Sequence, residues 1–223
     1  NFRLPEGQLR AIIGPNGAGK STFFSMLMGR MRPSAGDVRL RDTSIARLSP
    51  HMISRLGVSL AFQITNIFGN LSVADNLRLA TQSRRNPFVP FRNAGKRPWV
   101  EERVMLVLEQ VGLTKKHDEI ASNLAHGEQK YLEIGLALAT DPQLLLLDEP
   151  TAGMSPEETK ATGNLIRRLG KEISVVLVEH DMDVVMDVAD MVTVFHQGQI
   201  IAEGNPDEIR ADSEVQRVYL RGH

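Results

Sequence analysis

Nine residues near the start of the chain have the types and spacing to hold a polyphosphate. Gly14-Pro15-Asn16-Gly17-Ala18-Gly19-Lys20-Ser21-Thr22 fits G-x-x-x-x-G-K-[ST]. The glycines let the backbone curl until successive N–H groups point at one anion. The helix that must follow presents its own N-terminal N–H groups to the same anion. Lys20 would neutralise the β- and γ-phosphates, and the Ser21 hydroxyl would ligate Mg²⁺. A dinucleotide-binding G-x-G-x-x-G turn is disfavoured, because its glycines do not open the helix in this register.

A second constellation lies far along the chain, where Leu144-Leu145-Leu146-Leu147 runs into Asp148-Glu149-Pro150. A buried strand ending at the C-terminal edge of a sheet would deliver Asp148 beside the phosphate loop, there to hold Mg²⁺, usually through water. Glu149, one residue on, points elsewhere and is placed to polarise an attacking water as general base. Alone, the run reads equally well as a strand ending in a polar turn. A phosphate loop in the same chain tips the balance to a site.

These residues need elements to position them. Residues 8–13, 38–40, 58–62, 144–147, 175–178 and 191–195 read as short strands. Apolar spacing over 20–29 gives the helix after the phosphate loop. The stretch from Val73 to about Ala139 is helical, with Val104, Leu108 and Val111 on one face and Leu132, Leu136 and Ala139 on another. Further helices begin at Pro156, capped by Ser155, and near Asp181. Continuous apolar strands alternating with helices mean an α/β fold with a parallel sheet covered on both faces. The central helices interrupt that sheet as an insertion.

Composition narrows the class. The chain has 223 residues, 42% of them hydrophobic, which is enough to bury a real core. With no cysteine, disulfide scaffolds, Fe–S sites and Cys-ligated zinc are excluded. The 26 basic residues against 27 acidic ones argue against a nucleic-acid binder. No segment approaches the ~18 uncharged apolar residues of a membrane span. The chain starts without Met and runs straight into a strand pattern, so no signal peptide is read and the start looks trimmed. Between Asn76 and Val100 there is no acidic residue, but Arg78, Arg84, Arg85, Arg92, Lys96 and Arg97 occur with three prolines. That stretch reads as a solvated loop; the alternative is a face toward anionic lipid headgroups or an acidic partner.

Taken in order, the motifs resemble those of the ATP-binding subunits of ABC transporters, over essentially the whole chain. Phe62-Gln63 resembles the Q-loop, and Leu124-Ala125-His126-Gly127-Glu128-Gln129 sits where the signature motif belongs. Asp148-Glu149-Pro150 matches the second acidic motif, Thr151-Ala152-Gly153-Met154 the D-loop, and Glu179-His180-Asp181 the switch-histidine loop. The resemblance implies a P-loop NTPase (RecA-like) core over residues 1–70 and 141–223, with a helical signature subdomain inserted at 71–140. It implies ATP and Mg²⁺ as cofactors. Gln63 would sense the γ-phosphate and Mg²⁺ and couple to the membrane partner. Ala125, His126, Gly127 and Glu128 would cap the γ-phosphate of ATP bound by a second subunit, in a head-to-tail dimer. His180 would hold the γ-phosphate and orient Glu149 and the water.

Two departures stand out. Ala125 and His126 replace the usual Ser and Gly of the signature, removing a hydroxyl donor. The strand that carries the family's adenine-stacking aromatic is expected to be missing, since 13 residues precede Gly14 and Phe2 is too close to it. No adenine-stacking residue is assigned. The stretches LAHGEQKYLEIG, Thr151 to Pro156, Glu179 to Val185 and Val218-Tyr219-Leu220 are most similar to importer ATPases for branched-chain amino acids and their urea or amide relatives. The implied partners are permease subunits, a second ATPase subunit that is a copy or a paralogue and, indirectly, a solute-binding protein, with no nucleic acid. The implied location is cytoplasmic, peripheral on the inner face of the cell membrane. The alternative is a soluble ABC ATPase acting on nucleic acid or the ribosome. A GTPase switch is set aside for want of an Asn-Lys-x-Asp guanine reader.

Overall fold

The structure is a computed structural model describing residues 1–61, 67–83 and 98–220. In chain order its strands are β1 (Leu9–Ile13), β2 (Arg39–Leu40), β3 (Thr43–Ser44), β4 (Val58–Ala61), β5 (Leu144–Asp148), β6 (Ser174–Val178), β7 (Met191–His196) and β8 (Gln199–Gly204). The helices are α1 (Lys20–Leu27), α2 (Pro50–Arg55), α3 (Val73–Ser83), α4 (Pro98–Gln110), α5 (His126–Ala139), α6 (Pro156–Gly170), α7 (Met182–Val188), α8 (Pro206–Ala211) and α9 (Ser213–Leu220).

Six strands form the main sheet in the order β4-β5-β6-β1-β7-β8. The first five are mutually parallel, as the apolar runs require, while β8 returns antiparallel to β7 through the two-residue turn Gln197-Gly198. Both turn residues have positive φ, 48° and 78°, the geometry that matches hairpin twist. The expected strand at 38–40 is present as β2, but it pairs only with β3 in a separate two-stranded hairpin. Its residues are too few and too exposed to compete for a place in the main sheet.

Alternating side chains on each strand feed different layers, the period-2 rule of a pleated sheet. Ile12, Leu146, Val176 and Val178 pack with Phe24 of α1 and Ile53 of α2. On the opposite face, Leu145, Leu147, Val175 and Leu177 meet Leu132 of α5, Leu165 and Ile166 of α6, and Val104 and Leu108 of α4. Ala11, Ile13, Val192 and Val194 pack against Val185 of α7 and Ile209 of α8. Each fully buried Leu, Ile or Val contributes roughly 1.5–3 kcal/mol, so burial on both faces explains why these strands read as unbroken apolar runs. The chain leaves the sheet after β4, builds α3, α4 and α5, and re-enters at β5. The expected start of α6 holds: Ser155 Oγ accepts from the Glu158 N–H at 3.3 Å, and Glu158 returns the bond to the Ser155 N–H at 2.9 Å.

Of the six basic residues read between 78 and 97, only Arg78 is among the described residues. It is neutralised, pairing with Asp75 at 2.7 Å and as a fork with Glu101 at 2.8 and 2.9 Å. Arg84, Arg85, Arg92, Lys96 and Arg97 lie outside the described residues. No helix among the described residues is long and apolar enough to cross a membrane.

Candidate active site

Sheet order decides what meets what. β5, β6 and β1 are consecutive neighbours, and all three run in the same direction. Their carboxyl ends lie in a row, where open α/β sheets gather ligands. β1 ends into residues 14–22, β5 ends at Asp148, and β6 runs into Glu179 and His180. Asn16 to Thr22, Glu149 and His180 line one cleft.

The phosphate loop is held from both sides. Lys20 folds back so that Nζ donates to the carbonyls of Gly14 at 2.6 Å and Pro15 at 3.2 Å. The Ala18 N–H donates to Pro15 O at 3.1 Å, and Ala18 O accepts the Gly198 N–H of the β7–β8 turn at 2.9 Å. Gly14 must be glycine, because a methyl there would overlap the carbonyl oxygen of Phe195 in β7. Gly19 sits at φ 105° at the head of α1. That helix has no side-chain cap and no acidic residue in its first turn, so its N–H groups face the cleft without an internal partner. Ser21 and Thr22 are exposed beside them.

Glu149 lines this cleft, and Asp148, at the end of β5, lies within electrostatic reach of Lys20. A continued strand would send consecutive side chains to opposite faces. Glu149 instead takes φ 50°, an uncommon left-handed conformation for a residue with a Cβ, and its N–H donates to Val178 O at 2.9 Å. The turn brings its Oε1 to 2.7 Å from Nε2 of His180. Nε2 must donate to that carboxylate, which fixes the ring's orientation. Strain of about 1–3 kcal/mol at such a residue is the kind functional sites retain.

Burial perturbs two charges here, Lys20 and Asp148. Burial pulls the Lys20 ammonium below the usual lysine range, against the upward pull of Glu149 and Asp148. Burial pushes the Asp148 carboxyl up, with Glu149 reinforcing and Lys20 and His180 opposing. Because the folded value lies above the unfolded one, ionised Asp148 works against the nucleotide-free fold. That penalty is absent below the unfolded pKa, grows as pH rises toward the folded one, and is complete above it. Asp148→Asn is therefore expected to raise the melting temperature near pH ~7.5, by about 2–4 °C for each kcal/mol relieved. The gain should fade as the pH falls toward ~4. Scanning fluorimetry over that range checks it; a gain that grew on acidification would contradict the assignment.

The signature residues lie apart from this cleft. Ala125 caps α5 without a side-chain bond, and Ala125 and His126 are exposed. Gly127 is buried, with the Glu158 carboxylate of α6 where a β-carbon would be, at 2.5 Å. Glu128 is engaged locally: its Oε2 accepts from the Ala125 N–H at 3.0 Å and pairs with Lys116 at 2.8 Å, which holds its carboxyl below the ordinary range. Gln63 and its neighbour Phe62 lie outside the described residues. Sequence reading gave no role to the Glu179 side chain. It is 3% exposed and accepts hydrogen bonds from Thr151 and from the His180 N–H. Its signal was a carboxylate directly following an apolar strand.

The donor set suits a magnesium–polyphosphate. Uncapped N–H groups, a buried cation and two hydroxyls would meet the anion. A carboxylate and a hydroxyl supply hard oxygen ligands of the kind Mg²⁺ takes alongside substrate phosphates. Among the described residues no group of three His, Cys, Asp or Glu forms a metal cage, so such an ion would lean on the phosphates, as Mg²⁺ does.

Residues 1–152 match the family model described as ABC transporter, and residues 199–220 match that of the branched-chain amino acid ATP-binding cassette transporter. The chain belongs to the ABC transporter family, as an ATP-binding and ATP-hydrolysing subunit. It is 37% identical over 230 residues to the high-affinity branched-chain amino acid transport ATP-binding protein LivG of Escherichia coli K12, covering 99% of this chain and 89% of LivG. With BraF of Pseudomonas aeruginosa PAO1, of the same description, identity is 38% over 228 residues, again covering 99% and 89%. Among solved structures, the ADP conformation of MJ1267, an ATP-binding cassette of an ABC transporter, superposes with a TM-score of 0.84 at 28% identity. It covers 97% of this chain and 89% of that one.

Proposed function

We propose that this ATPase drives uptake of branched-chain amino acids or closely related small solutes, and that residues 14–22, Asp148, Glu149 and His180 carry out the hydrolysis. The observation that carries the site assignment is the Glu149–His180 contact of 2.7 Å at the mouth of the phosphate loop. Full-length similarity to LivG and BraF supports the solute class. In this reading Ser21, Gln63 and Asp148 would hold Mg²⁺, which would supply charge neutralisation at the phosphates. The loop N–H groups and the α1 N-terminus bind and orient the polyphosphate. Lys20 offsets its charge, and Glu149 takes the proton of the attacking water while His180 fixes the carboxylate.

Residues 125–128 serve the nucleotide of a second ATPase subunit. With Ala125 lacking a hydroxyl, backbone N–H groups at the head of α5 take that part. Loss of the shared γ-phosphate would loosen the pair, a switch set by differential contacts in two states. Residues 71–140 act as the inserted helical subdomain between the halves of the ATP-binding core at 1–70 and 141–223. They carry the change to permease subunits at the inner membrane face, supplied by a solute-binding protein.

Hydrolysis by the purified chain tests the assignment, with His180→Ala as the variant. ATP turnover is expected to fall about 100-fold, within the range for a group that positions a general base, while ATP binding measured by a fluorescent analogue stays within a few-fold. Unchanged turnover in His180→Ala would return that residue to the surface.

A further inference from the structure

Glu179 is a buried charged group that the proposed reaction leaves unused. It is 3% exposed at the end of β6, and its Oε1 accepts two hydrogen bonds from one residue: the Thr151 N–H at 2.9 Å and the Thr151 Oγ1–H at 2.6 Å. Its Oε2 accepts the His180 N–H at 3.0 Å. No ion-pair partner of Glu179 occurs among the described residues, and its charge adds to that of Asp148 nearby. A buried carboxylate held by neutral donors beside two more carboxylates is expensive as structure. An amide or an apolar residue would hold a strand end more cheaply.

What the carboxylate uniquely does is accept on both oxygens. One oxygen takes the segment after β5, and the other folds back onto the N–H of the next residue, His180, which fixes the carboxylate on its own backbone after β6. Those are the segments that carry Glu149 and His180. Thr151 follows Glu149 by two residues across Pro150, and the Ala152 N–H closes this turn onto Glu149 O at 3.1 Å. The tie through Glu179 therefore fixes the spacing between the two backbones from which the Glu149 carboxylate and the His180 ring reach each other.

We propose that Glu179 is a positioning residue that clamps the Thr151 turn to the His180 backbone and thereby holds the His180 ring on Glu149. This rests on the reading of Glu149 and His180 as the hydrolytic pair. In Glu179→Gln one oxygen still accepts from Thr151, but the amide NH₂ meets the His180 N–H, donor against donor. The bond that orients the side chain against the His180 N–H is lost while size and burial are kept.

The experiment is a cycle of wild type, Glu179→Gln, Thr151→Val and the double variant in the whole chain, with Thr151→Ser as the conservative rescue. With Mg²⁺ and ATP, Glu179→Gln is expected to lower kcat 10- to 100-fold and to leave KM for ATP within threefold. Thr151→Val should lower kcat by three- to tenfold, Thr151→Ser should restore it, and the double variant should be no worse than Glu179→Gln alone, because the residues act as one unit. The melting temperature of nucleotide-free Glu179→Gln should hold or rise, where a structural role predicts a fall. A second readout needs no turnover: the His180 ring resonances, assigned by their loss in His180→Ala, should move in Glu179→Gln. A kcat within twofold of wild type, a KM effect alone, multiplying losses, or a fall in melting temperature that tracks the lost rate would overturn the proposal. Failure of wild type to hydrolyse ATP would instead overturn the reading beneath it. Unmoved His180 resonances would reject the clamp in either case.

Discussion

Glu149→Gln should bind ATP and fail to turn it over. The amide keeps the length of the side chain and keeps an oxygen to accept from His180 Nε2, now 2.7 Å from the carboxylate. It also faces the same left-handed backbone requirement at φ 50°. What it loses is the capacity to take a proton from water. General-base contributions of this kind amount to about 10²–10⁴ in rate, so single-turnover hydrolysis should slow by at least ~100-fold with affinity nearly unchanged. Two such subunits, each holding ATP·Mg²⁺ and unable to discharge it, should remain paired. Size-exclusion chromatography of this variant should show a dimer with ATP·Mg²⁺ and a monomer without it. Hydrolysis at the wild-type rate would remove Glu149 from the base role. ATP binding without a mass shift would mean that the partner is a paralogue, and mixing with candidate second subunits would then have to restore the shift.

Gly14→Ala should damage fold and site together. The added methyl would overlap the carbonyl oxygen of Phe195 and approach the Ala18 β-carbon at 3.1 Å. Neither neighbour is free to yield. Phe195 is fixed in β7, paired with β8, and Ala18 is buried within the loop itself. Overpacking against backbone costs about 1–3 kcal/mol, and more where nothing relaxes. At about 2–4 °C per kcal/mol, a cost at the upper end, about 3 kcal/mol, should lower the melting temperature by roughly 6–12 °C, with ATP affinity down at least tenfold. Gly17→Ala is the control. No atom lies within 4 Å of its added carbon, so only its φ of 79° opposes the change, at about 1–2 kcal/mol. Equal melting temperatures for the two variants would show that the loop gives way at Gly14 after all.

The difference between these glycines marks where sequence stops being sufficient. The phosphate loop and the acidic end of β5 were legible because their chemistry is local: adjacent residues of fixed type carry it. The parallel sheet was legible because burial on both faces leaves continuous apolar runs. What escaped depends on contacts across the chain. That Gly14 needs its hydrogen for the sake of Phe195 is set by a strand 181 residues away. β8 was missed because Gln199–Gly204 is an edge strand with mixed exposure, which leaves no clear period. The left-handed turn at Glu149 and its contact with the His180 ring lie beyond what strand alternation announces. Glu179 was read as a motif letter, and only the geometry gives its side chain three donors.

The Gln197-Gly198 turn invites a misjudgement of another kind. Both residues are exposed and the turn is short, so it resembles the surface tips where labels and inserted domains are usually tolerated. Its Gly198 amide, however, is fastened to the carbonyl of Ala18 at 2.9 Å. A tag spliced here would pull on the nucleotide loop through a single bond, and a fluorophore attached here would report on that loop rather than on the edge of the sheet. This exposed corner of the hairpin is, mechanically, an extension of the loop that lines the cleft.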